Sequence, residues 1–353
     1  MNATRTGPGP ASGPTGPPGP HGGAAGRPAV TRLAGAVGGQ NLSLLAALGL
    51  LVAVIGLQRP SFFRPANLIT IGVTASLLGL VSLAQTVTIL SGGLDISIGA
   101  VVGLASVFAA TGAASGMLAG IGYGVLAGTA AGLLNGLLIR FGRVNPVIAT
   151  LATFSAFQGA TFIAANGRAI GVSDRYFLQI GTGRLLGVPI PLAVLVLAAL
   201  LFHGVLGYTD VGRNVYALGG NPVAARLAGV PVQRYTVGVY VLAGAVAGVA
   251  GVLLTARTGA GVADSGAPNL SLQSITAVLL GGCALAGGRG TVACTVLGVA
   301  LLGVLRNGLV LLDVPQFYQL VAQGGLLVVA VMIQEYRGGW RGQPRYSGTG
   351  RPA

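Results

Sequence analysis

The sequence predicts an all-α polytopic membrane protein of about ten transmembrane helices, and three observations predict it. Of its 353 residues 53% are apolar and only 7% charged, where a soluble domain carries about 25% charge. Mean hydropathy is +0.80 over the whole length. Apolar runs of spanning length recur between short, Arg-bearing connections, which is the pattern of a chain whose main solvent is lipid.

Residues 1–40 are Gly, Pro, Ala, Ser and Thr with Arg5, Arg27 and Arg32, and read as a disordered tail that buries nothing. Their glycine spacing is too irregular for collagen, and no apolar core with a small-residue cleavage site marks a signal peptide. The first apolar run, Leu42 to Leu57, ends at Gln58-Arg59-Pro60 as an uncleaved span. With a ruler of about 20 residues, and about 17 tolerated, the remaining runs place spans near 67–88, 97–115, 117–139, 145–165, 188–208, 236–257, 270–287, 291–312 and 316–334. The membrane domain is then 41–336, with 337–353 a C-terminal tail. The pair of spans around 88–117 is the least regular.

Orientation follows from the Arg residues, because cytosolic flanks carry the excess. With the N-terminus inside, 13 of the 20 Arg fall on inner segments and six on outer ones, and Arg306 lies within a span. Both termini are therefore expected in the cytosol, with 209–235 the longest inner connection and 166–187 the longest outer one. Glycines at four-residue spacing, Gly120, Gly124, Gly128 and Gly132 in one span and Gly244 and Gly248 in another, let helix backbones approach closely where lipid offers no hydrophobic drive.

Composition also excludes chemistry. All 20 basic residues are Arg, so neither a Walker A lysine nor a Schiff base can be built. Two His, two Cys and the scattered acids Asp95, Asp174, Asp210, Asp264, Asp313 and Glu335 assemble no metal cluster or nucleophile–base set. No cofactor or metal is expected on this chain, and any ATP with its Mg is expected on a partner. The net charge of +14 sits between apolar runs rather than in patches interleaved with aromatics, which fits membrane topology and not nucleic acid. Cys283 and Cys294 lie in apolar runs and read as small packing residues.

Four segments interrupt the apolar pattern. In the 209–235 connection, from Gly212, Arg213 and Asn214 onward, Asn221 is a good N-cap, Pro222 fits the first helical turn, Gly229 suits a left-handed terminus and Pro231 stops continuation. So short a helix must dock on something, and Ala224, Ala225 and Ala228 leave a low-relief face beside Arg226. The second, Ser91-Gly92-Gly93-Leu94-Asp95-Ile96-Ser97-Ile98-Gly99, follows Gln85 and breaks the run between spans two and three. Backbone broken at membrane depth must line a cavity or be wrapped by protein. Asp95 and Ser97 either cap the next helix or meet solute and gating partners. Third, Asn135 and Asn145 flank an inner turn, and Thr150, Thr153, Gln158 and Thr161 approach one stripe of the following span. Uncharged hydroxyls and amides suit a polyol, although such side chains also bond their own backbone. Fourth, glycines at 281–282, 287–288 and 290 join spans eight and nine, and Arg306-Asn307-Gly308 sits within span nine. Arg306 either snorkels, pairs with Asp313 or lines a cavity.

These segments resemble the permease subunits of ATP-binding-cassette importers for ribose, xylose, galactosides and related simple sugars, over about residues 42–336. The resemblance rests on the Gly-Gly-x-Asp-x-Ser-x-Gly string ending at Gly99, on the nearly complete Gly212–Gly229 pattern and on the glycine run at 281–290. It implies that 221–229 is a cytosolic coupling helix for a separate ATPase, whose two nucleotide domains are fused or separate, and that Gln85, Ser91, Gly92, Gly93, Asp95, Ser97, Asn135, Asn145, Thr150, Thr153, Gln158 and Asn307 serve translocation or gating. It also implies an extracytoplasmic sugar-binding protein, a second permease copy or paralogue, and the plasma or inner membrane as location. The competing readings are a permease for branched-chain amino acids or nucleosides and, further off, an ion-coupled carrier using Asp95.

Overall fold

The computed structural model describes residues 39–266 and 269–339, with side chains described over 42–266 and 269–332. The helices are α1 (Gly39–Gln58), α2 (Pro65–Leu90), α3 (Ile98–Ala113), α4 (Met117–Arg140), α5 (Pro146–Ala164), α6 (Arg175–Thr182), α7 (Ile190–Tyr208), α8 (Asp210–Gly220), α9 (Pro222–Leu227), α10 (Val232–Thr258), α11 (Asn269–Gly281), α12 (Val292–Leu311) and α13 (Gln316–Gly339). Ten of them answer to the ten expected spans. Six are long and apolar enough to cross a membrane, and α1, α3, α11 and α13 supply four shorter apolar pieces among the described residues. The tail expected over 1–40 lies almost wholly outside the described residues. So does most of that expected over 337–353, since α13 runs on to Gly339.

The packing centre is α4 against α10, made by the two glycine strips. A Cβ on Gly128 would lie 2.7 Å from the Cα of Gly248, one on Gly244 2.8 Å from the Cα of Gly132, and one on Gly248 2.9 Å from the Cα of Val125. Dispersion gained at this backbone separation, rather than water expulsion, is what holds helices together in lipid. Hydroxyl and amide pairs add polar clasps between spans: Thr86 with Thr295 at 2.7 Å, joining α2 to α12, and Ser106 with Thr255 at 2.7 Å, joining α3 to α10.

Three features depart from the sequence reading. The connection 209–235 holds two helices, α8 and α9, because Thr209 caps α8 as Asn221 caps α9. The connection 166–187 is not a plain loop: Asp174 caps α6, and Ile170–Gly171 (β1) pairs with Ala260–Gly261, while Arg184–Leu185 pairs with Val188–Pro189. Last, α11 begins at Asn269, as expected, but ends at Gly281 rather than near 287, where Gly282 turns at φ 100°. The chain before it, 259–266, does not stay outside the bundle but runs along α3: a Cβ on Gly103 would lie 2.7 Å from the Ala263 carbonyl, and one on Gly266 3.0 Å from the Cβ of Val102. With 91–97 this makes two stretches of irregular backbone beside α3, whose 16 residues span only about 24 Å at ~1.5 Å per residue. In these stretches Asp95, Ser97, Gly261, Ala263 and Gly266 are buried, while Gly92, Val262 and Asp264 are exposed.

Candidate functional site

The two-helix elbow α8–α9 projects from one end of the bundle. Asn221 Oδ1 accepts from the N–H groups of Val223 and Ala224, both at 3.0 Å, Pro222 opens the helix, and Gly229 turns the exit at φ 85°. The expected capping is therefore present residue for residue. Asn221, Pro222, Ala224, Arg226 and Gly229 are exposed. Ala225 is not part of the outward face: it is buried against Leu218 and Val232, and pins α9 to the bundle. Arg213 is exposed and paired with Asp210 one turn earlier in α8. Asn214 faces inward, donating to the Tyr235 hydroxyl of α10 at 2.8 Å.

The far end of α8 meets the broken segment. A Cβ on Gly219 would overlap the Leu90 carbonyl and lie 2.7 Å from the amide nitrogen of Gly288. Gly92, at φ 84°, would carry its Cβ 3.4 Å from the Cα of Gly219, and Gly287 one 2.8 Å from the Cα of Gly92. Gly288 N–H donates to the Leu90 carbonyl at 3.0 Å, and the Tyr216 hydroxyl to the Gly290 carbonyl at 2.9 Å. Three segments singled out separately in the sequence thus meet backbone to backbone: the end of α2, the end of α8 and the loop before α12. Only residues without side chains fit there.

Beyond this junction the chain turns back through Asp95. Its Oδ1 accepts from the Ser97 N–H at 2.9 Å and from the Ser97 hydroxyl at 2.6 Å, so Asp95, not Ser97, caps the start of α3. The Ser97 hydroxyl accepts in turn from Asn135 Nδ2 at 2.7 Å, and Asn135 Oδ1 accepts from the Thr153 hydroxyl at 2.7 Å. The Thr150 hydroxyl accepts from Ile96 N–H at 3.1 Å and donates to the Pro146 carbonyl at 2.8 Å. Gln85, with its amide oriented to satisfy both groups, bridges the backbone N–H and carbonyl of Asp95. All of these side chains are buried. The structure brings together Gln85, Asp95, Ser97, Asn135, Thr150 and Thr153 as one closed network tying the broken segment to α2, α3, α4 and α5.

The other expected path residues lie apart. Ser91 folds its hydroxyl onto the Thr88 carbonyl at 2.7 Å. Gly93 packs under the Tyr240 ring, whose hydroxyl is buried with no hydrogen-bond partner. Asn145 caps α5 through the Val147 N–H at 2.9 Å, and Gln158 reaches Asp264 at 3.3 Å. Asn307 forms a reciprocal amide pair with Asn67 of α2, at 2.8 and 3.0 Å. Asp313 is held by Arg59 at 3.1 Å, not by Arg306.

Sequence reasoning missed one feature. Away from α8–α9, a cavity of about 240 Å³ opens between α2, α10, α11, α12 and α13, with Thr74, Ser265, Gln273, Arg306 and Gln323 among its lining. Arg306 had offered a signal, and so had the isolated amides Gln273 and Gln323 in otherwise apolar helices. Ser265 had not, because the path of 259–266 along α3 is a tertiary fact. Among the described residues no group of three or more His, Cys, Asp or Glu is placed to hold a metal.

Comparison with known proteins gives concordant matches. The model of the family described as branched-chain amino acid transport system / permease component matches residues 67–331. The ribose import permease protein RbsC of Bacillus subtilis is 40% identical over 298 residues, 83% of this chain and 92% of that protein. The L-arabinose ABC transporter permease protein AraH of Azospirillum brasilense is 35% identical over 289 residues, 81% of this chain and 85% of that protein. The Escherichia coli RbsC is 35% identical over 295 residues, 82% of this chain and 92% of that protein. No solved structure matches.

Proposed function

The chain belongs to the permease-component family of branched-chain amino acid transport systems, and on that footing we propose that it is the membrane-spanning subunit of an ATP-binding-cassette importer for a monosaccharide of the pentose class. The observation that carries the solute class is the likeness to ribose and L-arabinose permeases along nearly the whole helical domain. The absence of Lys from the sequence supports ATP hydrolysis on a separate chain, since no phosphate-binding lysine can be supplied here.

In this reading α9 is the coupling element. Its exposed, doubly capped surface around Ala224, Arg226 and Ala228 enters a groove of the ATPase, and ATP-driven movement reaches the broken segment through the glycine junction of Gly219, Gly92 and Gly287. Two permease copies, an extracytoplasmic binding protein, the plasma or inner membrane and two cytosolic termini complete the assembly. The Arg distribution supports that orientation.

Uptake of labelled ribose, L-arabinose and leucine by cells expressing the chain with its ATPase and binding protein tests the proposal. Pentose uptake that stops when ATP is depleted is the expected result. Leucine uptake alone would move the chain to the amino-acid branch of its family, and uptake abolished by collapsing ion gradients while ATP stays high would overturn the ATP-driven reading.

A further inference from the structure

We propose that the groove between α7 and α10 holds an anionic phospholipid of the cytosolic leaflet, with its phosphate on Arg234 and an acyl chain lying against α8. The inference takes the cytosolic placement of α8–α9 from the importer reading and adds to it a lipid site beside the coupling elbow.

The first support is the groove's shape and lining. Spans α7 and α10 each pack on α2, and between them a space of about 330 Å³ is lined by Phe202, Val205 and Leu206 of α7, Val239 and Leu242 of α10 and Val87 of α2. That volume falls within the ~300–1,000 Å³ typical of ligand sites. Gly238 also borders it, and a Cβ there would meet nothing within 4 Å. Among the lining residues Leu201, Val211 and Leu242 are exposed, so the groove opens outward. In a chain whose solvent is lipid, an apolar space open at the surface takes hydrocarbon rather than water.

The second support is charge. Arg234 lines the groove from the first turn of α10 and is exposed. Arg59 and Arg213 are paired with Asp313 and Asp210, whereas the Arg234 guanidinium meets no acid among the described residues, and no carboxylate lines the groove. Beside it the Tyr235 hydroxyl accepts from Asn214 at 2.8 Å, which leaves its own proton to donate. A guanidinium fork and a phenol at the mouth of an apolar groove match a phosphate above an acyl chain. Their place at the start of a span is where interfacial aromatics and anionic headgroups lie. A zwitterionic lipid would bring its own cation towards Arg234, so the arrangement favours an anionic one. Val211 and Val215 of α8 complete the lining, so the bound chain touches the helix that carries α9 and the glycine junction.

The test uses the full chain in mild detergent, with phosphatidylglycerol and phosphatidylcholine of equal chain length as probes and native mass spectrometry as the readout. Phosphatidylglycerol should be retained about fivefold over phosphatidylcholine, the weight of one Arg against an anionic surface. Arg234→Gln should erase that preference. Gly238→Leu, which fills the groove where a Cβ has no neighbour, should lower retention of both lipids. Arg143→Gln, exposed on the turn between α4 and α5, should leave the preference intact. Equal retention of the two lipids by the unsubstituted chain, or a preference that survives both Arg234→Gln and Gly238→Leu, would sink the site. So would loss of the ATPase from Arg234→Gln with lipid retention unmoved, because Arg234 would then belong to a protein contact. The readout needs no transport, so it separates the two readings: if the lipid preference behaves as expected and the unsubstituted chain imports no pentose, the lipid site stands and the importer reading falls. If pentose is imported and no lipid preference is seen, the reverse holds.

Discussion

Gly219→Ala is the sharpest perturbation, because its neighbour Gly220 provides a control one residue away. A methyl group on Gly219 would overlap the Leu90 carbonyl and crowd the Gly288 amide, both backbone atoms that cannot rotate aside. At Gly220 nothing lies within 4 Å. Both residues end α8, where alanine is intrinsically favoured over glycine by ~0.5–1 kcal/mol. Overpacking costs about 1–3 kcal/mol, and here it falls on the contacts of α8 with the end of α2 and with the loop before α12. Gly219→Ala should therefore lower the apparent melting temperature in detergent by about 2–6 °C, at ~2 °C per kcal/mol for a chain of this size. Gly220→Ala should hold or raise it. Transport should divide in the same way: Gly219→Ala loses sugar uptake while ATP hydrolysis by the assembled complex persists, and Gly220→Ala keeps both. Equal behaviour of the two variants would refute the argument that α8 acts on the broken segment through a contact only glycine permits.

Asn135→Leu removes the middle of the buried network and leaves the Ser97 and Thr153 hydroxyls short of a partner, at about 1–3 kcal/mol for an orphaned buried polar group; a thermal scan in detergent should show the loss with little change in surface labelling. Asn221→Ala strips two N–H bonds from a six-residue helix and costs about 0.5–2 kcal/mol of local stability, so it should reduce co-purification of the ATPase while leaving the global melting temperature almost unmoved. Asp313→Asn breaks an ion pair whose side chains are 47% and 84% exposed, which is worth less than about 1 kcal/mol, and should shift melting by no more than about 2 °C. Cys283 and Cys294 are 0% and 7% exposed; maleimide should label neither in the folded chain and both after denaturation.

The ten spans were legible because lipid imposes a length and a composition on each, and some of their starts were set by local punctuation such as Pro65, Asn145 and Pro146. The α9 helix was legible to its last residue for the same reason: cap, first-turn proline and terminal glycine all act within a few positions. The glycine strips of α4 and α10 were legible as strips, and their pairing with each other was not, since spacing names a face and not its partner. Ala225 was misjudged on that account. Small size suits a docking surface and a buried contact equally, and only the placement of Leu218 and Val232 decides between them.

The polar residues show where sequence reasoning stops. Thr150, Thr153 and Asn135 read as a path because uncharged hydroxyls and amides suit a sugar, yet Asn135 and Thr153 are spent on Ser97 and on each other, and Thr150 on the Ile96 N–H and the Pro146 carbonyl. Thr74 and Ser265 carry no stronger local signal, and the structure leaves them bordering open space. What separates the two sets is whether hydrogen-bonding capacity is already used, a property of pairs of atoms distant in sequence. The buried set also has work to do. Between Ile98 and Leu90 the chain makes no helix, so its backbone groups need partners inside the bundle, and Gln85, Asp95 and Thr150 provide them. The network holds the segment in one definite arrangement, so displacing the segment means breaking several buried hydrogen bonds together.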